Sequence, residues 1–176
     1  VAVNTTTSEV QDGAVLTNAG ITNISAASEH KIDTTVEGGA SGSKVSITPL
    51  AAVTVAVNTT IAKLGSGSET DVDTLNVSAT NKSAVTTEAK GQTAGDSIAI
   101  GASLGFTTAV DTAVATTERD IIASGKVAFN AASEASSSTT ATASATGGKK
   151  ADANGDAEAG GSVDEQIAAQ KSASNG

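Results

Sequence analysis

The chain contains no cysteine, methionine, tryptophan or tyrosine, and it has only two phenylalanines and one proline among its 176 residues. Without cysteine, a disulfide framework is excluded. Large side chains that interlock at high density are scarce, so a conventional globular core is not expected. The recurring short runs of valine, isoleucine and leucine nevertheless argue against a disordered chain. Small residues are well buried only where backbones come close together, as in stacked coils with a narrow interior.

The acidic balance of the chain limits its partners. The formal net charge is −9 at pH 7, from 10 basic and 19 acidic residues. Nucleic acids and anionic membrane surfaces attract lysine and arginine, so we expect neither as a partner. No apolar run is long enough for membrane insertion, and no signal peptide is recognisable. The sequence starts within a repeating pattern, and we therefore expect a segment of a longer chain or a processed product.

The strongest pattern is a repeat of 53 or 54 residues. The hexapeptide VAVNTT begins at Val1 and again at Val55, and a looser version, TAVDTAVA, begins at Thr108. Residues 23–42 align with residues 76–95 at the same spacing. A repeat of this length is typical of stacked or solenoid architectures.

Each repeat divides into two halves, and each half begins with an alternating apolar stretch. In residues 53–58 valine alternates with threonine, alanine and asparagine, and in residues 140–146 alanine alternates with threonine and serine. A period of two indicates β-strands, and valine and threonine suit pleated sheets. We therefore predict an all-β fold, a right-handed parallel β-helix (β-solenoid) of about six coils over residues 1–148. Each unit of about 53 residues would hold two coils.

Matching positions in successive repeats predict which side chains stack. Ile24, Val77 and Phe129 are expected to form one interior stack, and Val53 is expected to match Phe106 one coil away. Aromatic and branched side chains in matching positions are ordinary core material.

A polar row and several threonine doublets follow the same spacing. Asn4, Asn58 and Asp111 form the row. Its structural interpretation is a set of corner residues that bond to the backbone, and its functional interpretation is a row of ligands. Because neighbouring residues on a strand point to opposite sides, each threonine doublet presents one outward threonine per coil, whereas an ice-binding face usually has two.

The last residues depart from the strand pattern. Residues 149–161 are predicted to form an acidic flexible loop, and residues 162–173 a short C-terminal helix that caps the last coil or leaves it at a corner. A serine followed three residues later by a glutamate forms a capping box at the start of this helix. Val163 and Ile167 would give it a thin apolar face.

The two ends of a solenoid expose unpaired strand edges, which pair with another chain or are covered. We predict that Val163 and Ile167 cover the last coil, and that Val1 and Val3 lie at an open assembly edge. The expected partners are therefore a second copy, in end-to-end self-association, or the continuation of a longer chain. A host or matrix surface is a further candidate.

The acidic loop also contains the best candidate for a metal site. Asp152, Asn154 and Asp156 resemble the start of a calcium loop, because calcium prefers oxygen ligands. Alanine stands where such a loop requires glycine, and glutamate is missing at the twelfth position, so a solvated acidic turn is the alternative. Residues 69–74 form a weaker candidate. No cofactor other than calcium is expected.

No motif supplies a set of catalytic residues. His30, the only histidine, is interpreted as a surface turn residue, because no nucleophile or metal partner is spaced to act with it. Arg119, the only arginine, stands between Glu118 and Asp120 and is interpreted as part of a surface ion pair. No phosphate loop, zinc spacing or nucleophile elbow occurs, so we expect no enzyme.

Two stretches resemble the repeats of very large bacterial surface and secreted proteins, the leukotoxin-like and filamentous-haemagglutinin-like adhesins. They read VSITPLAAVTVAVNTTIAKLGSG and SIAIGASLGFTTAVDTAVATTERDIIASG. The resemblance covers residues 1–148 and lies in the style of the repeats. It implies a non-catalytic structural segment of a secreted or cell-surface protein, acting in adhesion or as an extracellular fibre or matrix subunit.

Two alternatives remain from other functional classes. One is a carbohydrate- or ice-binding solenoid module, and the other is a β-helical polysaccharide-active enzyme. The lack of tryptophan and tyrosine counts against carbohydrate binding, because sugars stack on those rings. An enzyme of that kind would need a cleft with converging acidic residues.

Overall fold

A computed structural model describes residues 1–147, 150–151 and 157–158. These residues form nine β-strands and no helix, which confirms the all-β prediction for them. The strands are β1 (Ala2–Val10), β2 (Ala19–Gly42), β3 (Val45–Leu64), β4 (Thr70–Gly95), β5 (Ile98–Thr117), β6 (Ile121–Ala123), β7 (Val127–Gly147), β8 (Lys150–Ala151) and β9 (Ala157–Glu158). The predicted helix over residues 162–173 lies outside the described residues.

Side chains alternate between the two faces of the long strands, as a period of two requires. In β3, Ala52, Thr54, Ala56 and Asn58 are buried, and the valines between them face outward. The threonine doublet at residues 59–60 likewise has one inward and one outward member. In this part of β3, small and polar side chains therefore face the interior and the valines face outward.

The strands pair in parallel at the spacing of the sequence repeat. Between β1 and β3, Val3 lies opposite Val57 and Val10 lies opposite Leu64, an offset of 54 residues. We call the sheet with strand order β1-β3-β5 sheet 1. Sheet 2 has the order β2-β4-β6, and β7 also pairs with β4. Strands β1 to β6 therefore alternate between the two sheets along the chain.

Each repeat contributes one long strand to each sheet. This differs from the prediction of about six coils, in which the two halves of a 53-residue unit stack on one another. Both halves show the same alternation because both are strands, but they belong to different sheets. Strands of 24 and 26 residues, in β2 and β4, each occupy the length that the prediction gives to one whole coil, half of a repeat unit.

The described strands belong to two compact units. The first unit consists of Val1–Asp33, Thr54–Thr86 and Thr108–Ser137, and the second of Thr34–Val53, Thr87–Thr107 and the described residues from Ser138 onward. Each unit therefore collects corresponding segments of successive repeats, and each contains strands of both sheets.

The first unit has an apolar core between its two sheets. Leu64 of β3 packs in one cluster with Val72, Leu75 and Val77 of β4, and each of the four is 2% exposed or less. Ile24 of β2 belongs to the same cluster. Burial of one such side chain contributes about 1.5–3 kcal/mol. The largest apolar residues of the inward faces therefore stabilise the packing of the two sheets in this unit.

The second unit has an interior of small side chains. Ala52 and Ala89 are fully buried there. Leu50 is larger, and two glycines accommodate it: a Cβ on Gly38 would lie 2.9 Å from Leu50 Cδ2, and one on Gly91 would lie 3.3 Å from Leu50 Cδ1. The missing side chains at these glycines leave the space that Leu50 occupies.

The predicted interior stacks are only partly present. Ile24 and Val77 belong to the buried core, but Phe129 is 37% exposed. Val53 and Phe106 are 56% and 53% exposed, so their predicted burial is wrong. A period of two distinguishes two faces of a strand without showing which one is buried. Around Val53 and Phe106 the inward residues of β3 and β5 are small, which lets the sheets approach closely.

Candidate functional site

Asn4, Asn58 and Asp111 form a side-chain ladder in the first unit. Asn4 Nδ2 donates a hydrogen bond to Asn58 Oδ1 at 2.8 Å, and Asn58 Nδ2 donates to Asp111 Oδ1 at 2.8 Å. Asn58 is fully buried. The polar row predicted from the sequence is therefore present, but its bonds join side chains in the interior, whereas the prediction joined side chains to the backbone at a corner.

Polar side chains of sheet 2 connect to this ladder. Asn81 donates to Asp111 Oδ1 at 3.2 Å, and Ser28 Oγ donates to Asn81 Oδ1 at 3.0 Å. Asn58 also donates to Ser83 Oγ at 3.2 Å. Buried polar groups that bond to one another fix the alignment of the strands that carry them. The network therefore acts within the fold, because its donors and acceptors are engaged with each other.

Arg119 follows β5 in the first unit and is buried, with 7% of its surface exposed. Its guanidinium donates to four backbone carbonyls, those of Gln11, Ala14, Gly65 and Ser66. The bonds to Gln11, Ala14 and Ser66 are 3.1, 2.6 and 3.2 Å long. These carbonyls lie in the loops that follow β1 and β3, so one side chain joins both loops.

The surface position predicted for Arg119 is therefore wrong. Glu118 and Asp120 suggest an ion pair, but a guanidinium has five donors in a planar fork and can bind several carbonyls at once. The Gln11 and Ser66 carbonyls also accept the backbone amides of Ala14 and Gly13, and Arg119 adds a donor to all four carbonyls where the loops converge. Gly67 leaves room for this side chain, because a Cβ there would lie 3.2 Å from Arg119 Cζ.

His30 lies within β2 and is half-buried, so the prediction of a surface turn is wrong. Its Nε2 is buried without a hydrogen-bond partner among the described residues. It lines a pocket of about 290 Å³ in the first unit together with Ser83, Lys82 and Glu134. Lys82 Nζ lies 3.5 Å from a Glu134 carboxylate oxygen. Because no hydroxyl is bonded to His30 Nε2, this nitrogen forms no nucleophile–base pair here.

Charged side chains lie outward on sheet 2 in both units. In the first unit Lys31 Nζ lies 3.0 Å from Asp33 Oδ2, and this hydrogen bond lowers the pKa of Asp33. In the second unit Lys90 pairs with Glu88 at 2.8 Å and with Glu37 at 3.5 Å, and the bond to Glu88 is the main cause of its raised pKa. Asp33 and Lys90 are surrounded by water, so these pairs contribute little to stability.

Val3 lies on β1 and Val1 directly precedes it, and they are 70% and 98% exposed. Among the described residues, β1 pairs only with β3, so its second edge has no strand beside it. In the weaker calcium candidate, residues 69–74, Asp73 Oδ1 accepts a bond from Ser124 Oγ at 3.0 Å. The remaining predicted site residues lie outside the described part of the chain: Val163, Ile167, Asp152, Asn154 and Asp156.

No family model, curated protein or solved structure matches this chain. Within the described ranges, no cluster of three or more histidine or acidic side chains is placed to hold a metal ion. The same ranges contain no helix of the length and apolarity that a bilayer crossing requires. A functional proposal therefore depends on the geometry of the chain itself.

A large apolar surface on the second unit is missing from the sequence-based predictions. It lies on the outward face of β3 and β5, and it includes Val53 and Phe106, which the repeat alignment assigns to the interior. In the sequence, this apolar surface is indicated by the sizes of alternate residues. Where large apolar residues alternate with serine, threonine, alanine and glycine, the small set fills a narrow interior and the large set faces outward.

Proposed function

We propose that this chain is a non-catalytic structural segment built as a right-handed parallel β-solenoid, acting in adhesion or as part of an extracellular fibre or matrix. In this proposal each repeat of 53–54 residues adds one strand to each of two sheets. The parallel register of β1 and β3 supports it, because Ala2 to Val10 lie beside Ala56 to Leu64 in adjacent parallel strands. Secretion or display at the cell surface follows from the resemblance to adhesin repeats.

The ladder from Asn4 through Asn58 to Asp111 is the observation that carries the proposal. It links three successive repeats by side-chain bonds of 2.8 Å. Arg119 does the same for loops, because it binds carbonyls one and two repeats earlier in the chain. Asn58 and Arg119, two buried polar residues of the first unit, therefore hold repeats together, as expected for a structural stack.

The partner in this proposal is a further strand at the second edge of β1, supplied by a longer chain or by a second copy. Main-chain amides and carbonyls at such an edge pair with any strand of matching alternation. Val1 and Val3 mark this edge and are exposed.

Deletion of one complete repeat tests the structural proposal. Removing residues 30–82, 53 residues in all, joins Glu29 to Ser83 and preserves both the sheet and the alternation of β2 and β4. Removing residues 30–55 is the matched control. This deletion also starts after Glu29 and preserves the alternation of inward and outward residues, but it joins β2 of sheet 2 to β3 of sheet 1. We expect the first variant to keep a cooperative β-type circular dichroism signal, and the control to lose it.

The functional half of the test uses the same deletion in the full-length protein. A structural segment acts through its stacked layers, so adhesion or fibre formation should survive loss of residues 30–82. If the activity disappears while the circular dichroism spectrum and the cooperative melting are retained, a specific binding or catalytic site within those residues is responsible. That result would overturn the structural proposal.

A further inference from the structure

Seven large apolar side chains project from the outward face of sheet 1 in the second unit, and we call them the apolar face. Each is between 50% and 61% exposed. They are Val45, Ile47 and Val53 of β3, and Ile98, Ile100, Leu104 and Phe106 of β5. Single exposed apolar residues are common on proteins, but a contiguous set of this size usually marks an interaction surface.

The two strands that carry the apolar face are neighbours. The Ile98 amide donates to the Lys44 carbonyl at 2.9 Å, and the Asp96 amide donates to the Gly42 carbonyl at 3.2 Å. In a parallel pair, the first of these bonds places Ile98 beside Val45. The members of the apolar face consequently lie side by side across adjacent strands, and they form a continuous surface.

The inward residues of the same strands show that this exposure follows from the packing. Ser46, Thr48 and Ala52 are buried, each 6% exposed or less, although they are smaller or more polar than their outward neighbours. Reversing the faces would bring isoleucine and phenylalanine into an interior that has room for alanine and threonine. The seven residues of the apolar face are therefore held outward, and Leu50 is the large inward residue of β3 in this unit, in the space left by Gly38 and Gly91.

The opposite outer surface of the second unit has a different character. Sheet 2 presents Glu37, Glu88 and Lys90 there, joined by ion pairs, with Gln92 exposed beside them. One outer surface of the unit is charged and the other is apolar. This contrast places the contact surface on sheet 1.

We propose that the apolar face is the contact surface for a second copy of this chain, packed sheet against sheet. Seven half-exposed side chains amount to roughly 600 Å² of apolar surface, at the upper limit for the largest patch of an ordinary monomer. Two copies in a twofold contact would bury about 1,200 Å², which reaches the range of specific interfaces. A second copy also has the same strand spacing and the same alternation of large and small residues, so the two surfaces interlock.

Charge favours a second copy over a lipid surface. Residues 45–53 and 98–107 contain no charged residue, so two copies meet without burying a charge. A bilayer surface is instead recognised through lysine, arginine, tryptophan and tyrosine, and these residues are absent from both segments. The net charge of −9 also opposes contact with anionic lipid.

Substitution of Leu104 by glutamate tests the contact in the full chain. Leu104 is the most exposed member of the apolar face, at 61%, so L104E leaves the interior unchanged while placing a charge in the contact. We expect sedimentation equilibrium to show a dimer for the parent chain and at least a tenfold higher dissociation constant for L104E. The matched control is Gln92→Glu, which adds the same charge to sheet 2 of the same unit and should leave the dimer intact.

A second measurement uses the absence of cysteine from the chain. Ala102 faces outward on β5, and Ala94 faces outward on β4. The variants Ala102→Cys and Ala94→Cys therefore each place a single thiol on one outer surface. A short bismaleimide linker should couple two copies through the first variant and not through the second. Val1 is not part of the apolar face. Substitutions at Val1 that abolish end-to-end association should therefore leave the coupling through residue 102 unchanged.

Three results would overturn the proposal. The first is a parent chain that stays monomeric at high concentration, and the second is a dimer of equal strength in L104E and Q92E. The third is binding of the monomer to phosphatidylcholine vesicles that L104E abolishes, which would assign the apolar face to lipid. Circular dichroism tests whether L104E is folded. If L104E does not fold, Ile47→Glu on the neighbouring strand is the independent variant.

Discussion

Asn4 and Asn58 are 54 residues apart in the sequence and are joined by a 2.8 Å hydrogen bond between their side chains. Asn58 is fully buried and also donates to Asp111 and Ser83. A buried side chain with three polar partners is hard to replace, because removing it leaves the buried Ser83 hydroxyl without this donor and takes one bond each from the half-buried Asn4 and Asp111. The network therefore penalises any shift of β1 or β5 along β3.

Replacement of Asn58 by alanine is expected to lower the free energy of unfolding by about 2–3 kcal/mol, since it removes three hydrogen bonds of a fully buried amide, one of them to the buried Ser83. Chemical denaturation followed by circular dichroism measures the change. Asn76 provides the control, because its amide bonds to Asn23 at 2.9 Å at the same repeat spacing, but at an exposed site. Asn76→Ala should cost less than about 0.5 kcal/mol. Equal losses for the two variants would contradict the role of burial.

Replacement of Arg119 tests the junction of the loops. Arg119→Ala should cost about 3 kcal/mol, because a buried guanidinium and its bonds to four carbonyls are lost, although the Gln11 and Ser66 carbonyls each keep a backbone amide donor. Arg119→Lys keeps the charge but cannot reach several carbonyls with one ammonium, so it should recover less than half of that loss. Thermal melting measures both, and Lys126→Ala, at an exposed residue, is the control for loss of a charge. Full recovery by lysine would show that charge alone matters.

The sequence contains enough information to predict strands and parallel stacking, and it predicts the polar ladder. The repeat of VAVNTT at Val1 and Val55 appears in the structure as adjacent positions in sheet 1, with Val3 opposite Val57. The threonine doublets also divide between inward and outward positions, as alternation requires. These features depend on local period and on repeat spacing, and both are visible in a single sequence.

Two features depend on packing distances that a single sequence does not reveal. Alternation in β3 and β5 is compatible with either face inward, so the exposure of Val53 and Phe106 follows only from the close approach of the sheets. Similar halves of a repeat also do not show whether they stack together or enter different sheets. The burial of Arg119 could not be predicted from its neighbours in the sequence either, because its carbonyl partners are 53 to 108 residues away along the chain.

The narrow interior of the second unit predicts a cost for adding a single methyl group. A Cβ on Gly101 would lie 2.8 Å from the Ser144 carbonyl oxygen and 3.3 Å from Thr93 Oγ1. Because backbone cannot move aside easily, Gly101→Ala should lower the free energy of unfolding by about 1–3 kcal/mol. Gly20→Ala is the control, since the nearest atom to its Cβ is 4.0 Å away. If Gly101→Ala instead raises the free energy of unfolding, the strands around Gly101 can move apart without loss of stability, and the interior is not narrow there.

The pair of Lys31 and Asp33 predicts a shift in an exposed carboxyl titration. Its hydrogen bond lowers the folded-state pKa of Asp33, so its contribution to stability is present above the ordinary pKa and disappears as pH falls through the folded-state value. Carboxyl NMR titration should show the pKa of Asp33 rising in Lys31→Ala and staying constant in Lys63→Ala, which removes a lysine paired with Glu9. High salt should reduce the shift in the parent chain. An unchanged pKa in Lys31→Ala would assign the shift to another group.

The free edge of β1 predicts a separate, end-to-end form of association. Lysine on an edge strand opposes pairing, because two copies would bring like charges together. The double variant Val1→Lys, Val3→Lys should therefore shorten or abolish fibres seen by electron microscopy, without lowering the melting temperature, since both side chains are exposed. Ala94→Lys is the control, because it places lysine on β4. This strand pairs with β2, β6 and β7, so it has no free edge along most of its length. Fibres of normal length in the double variant would exclude pairing at β1 and leave the apolar face of the second unit as the route to assembly.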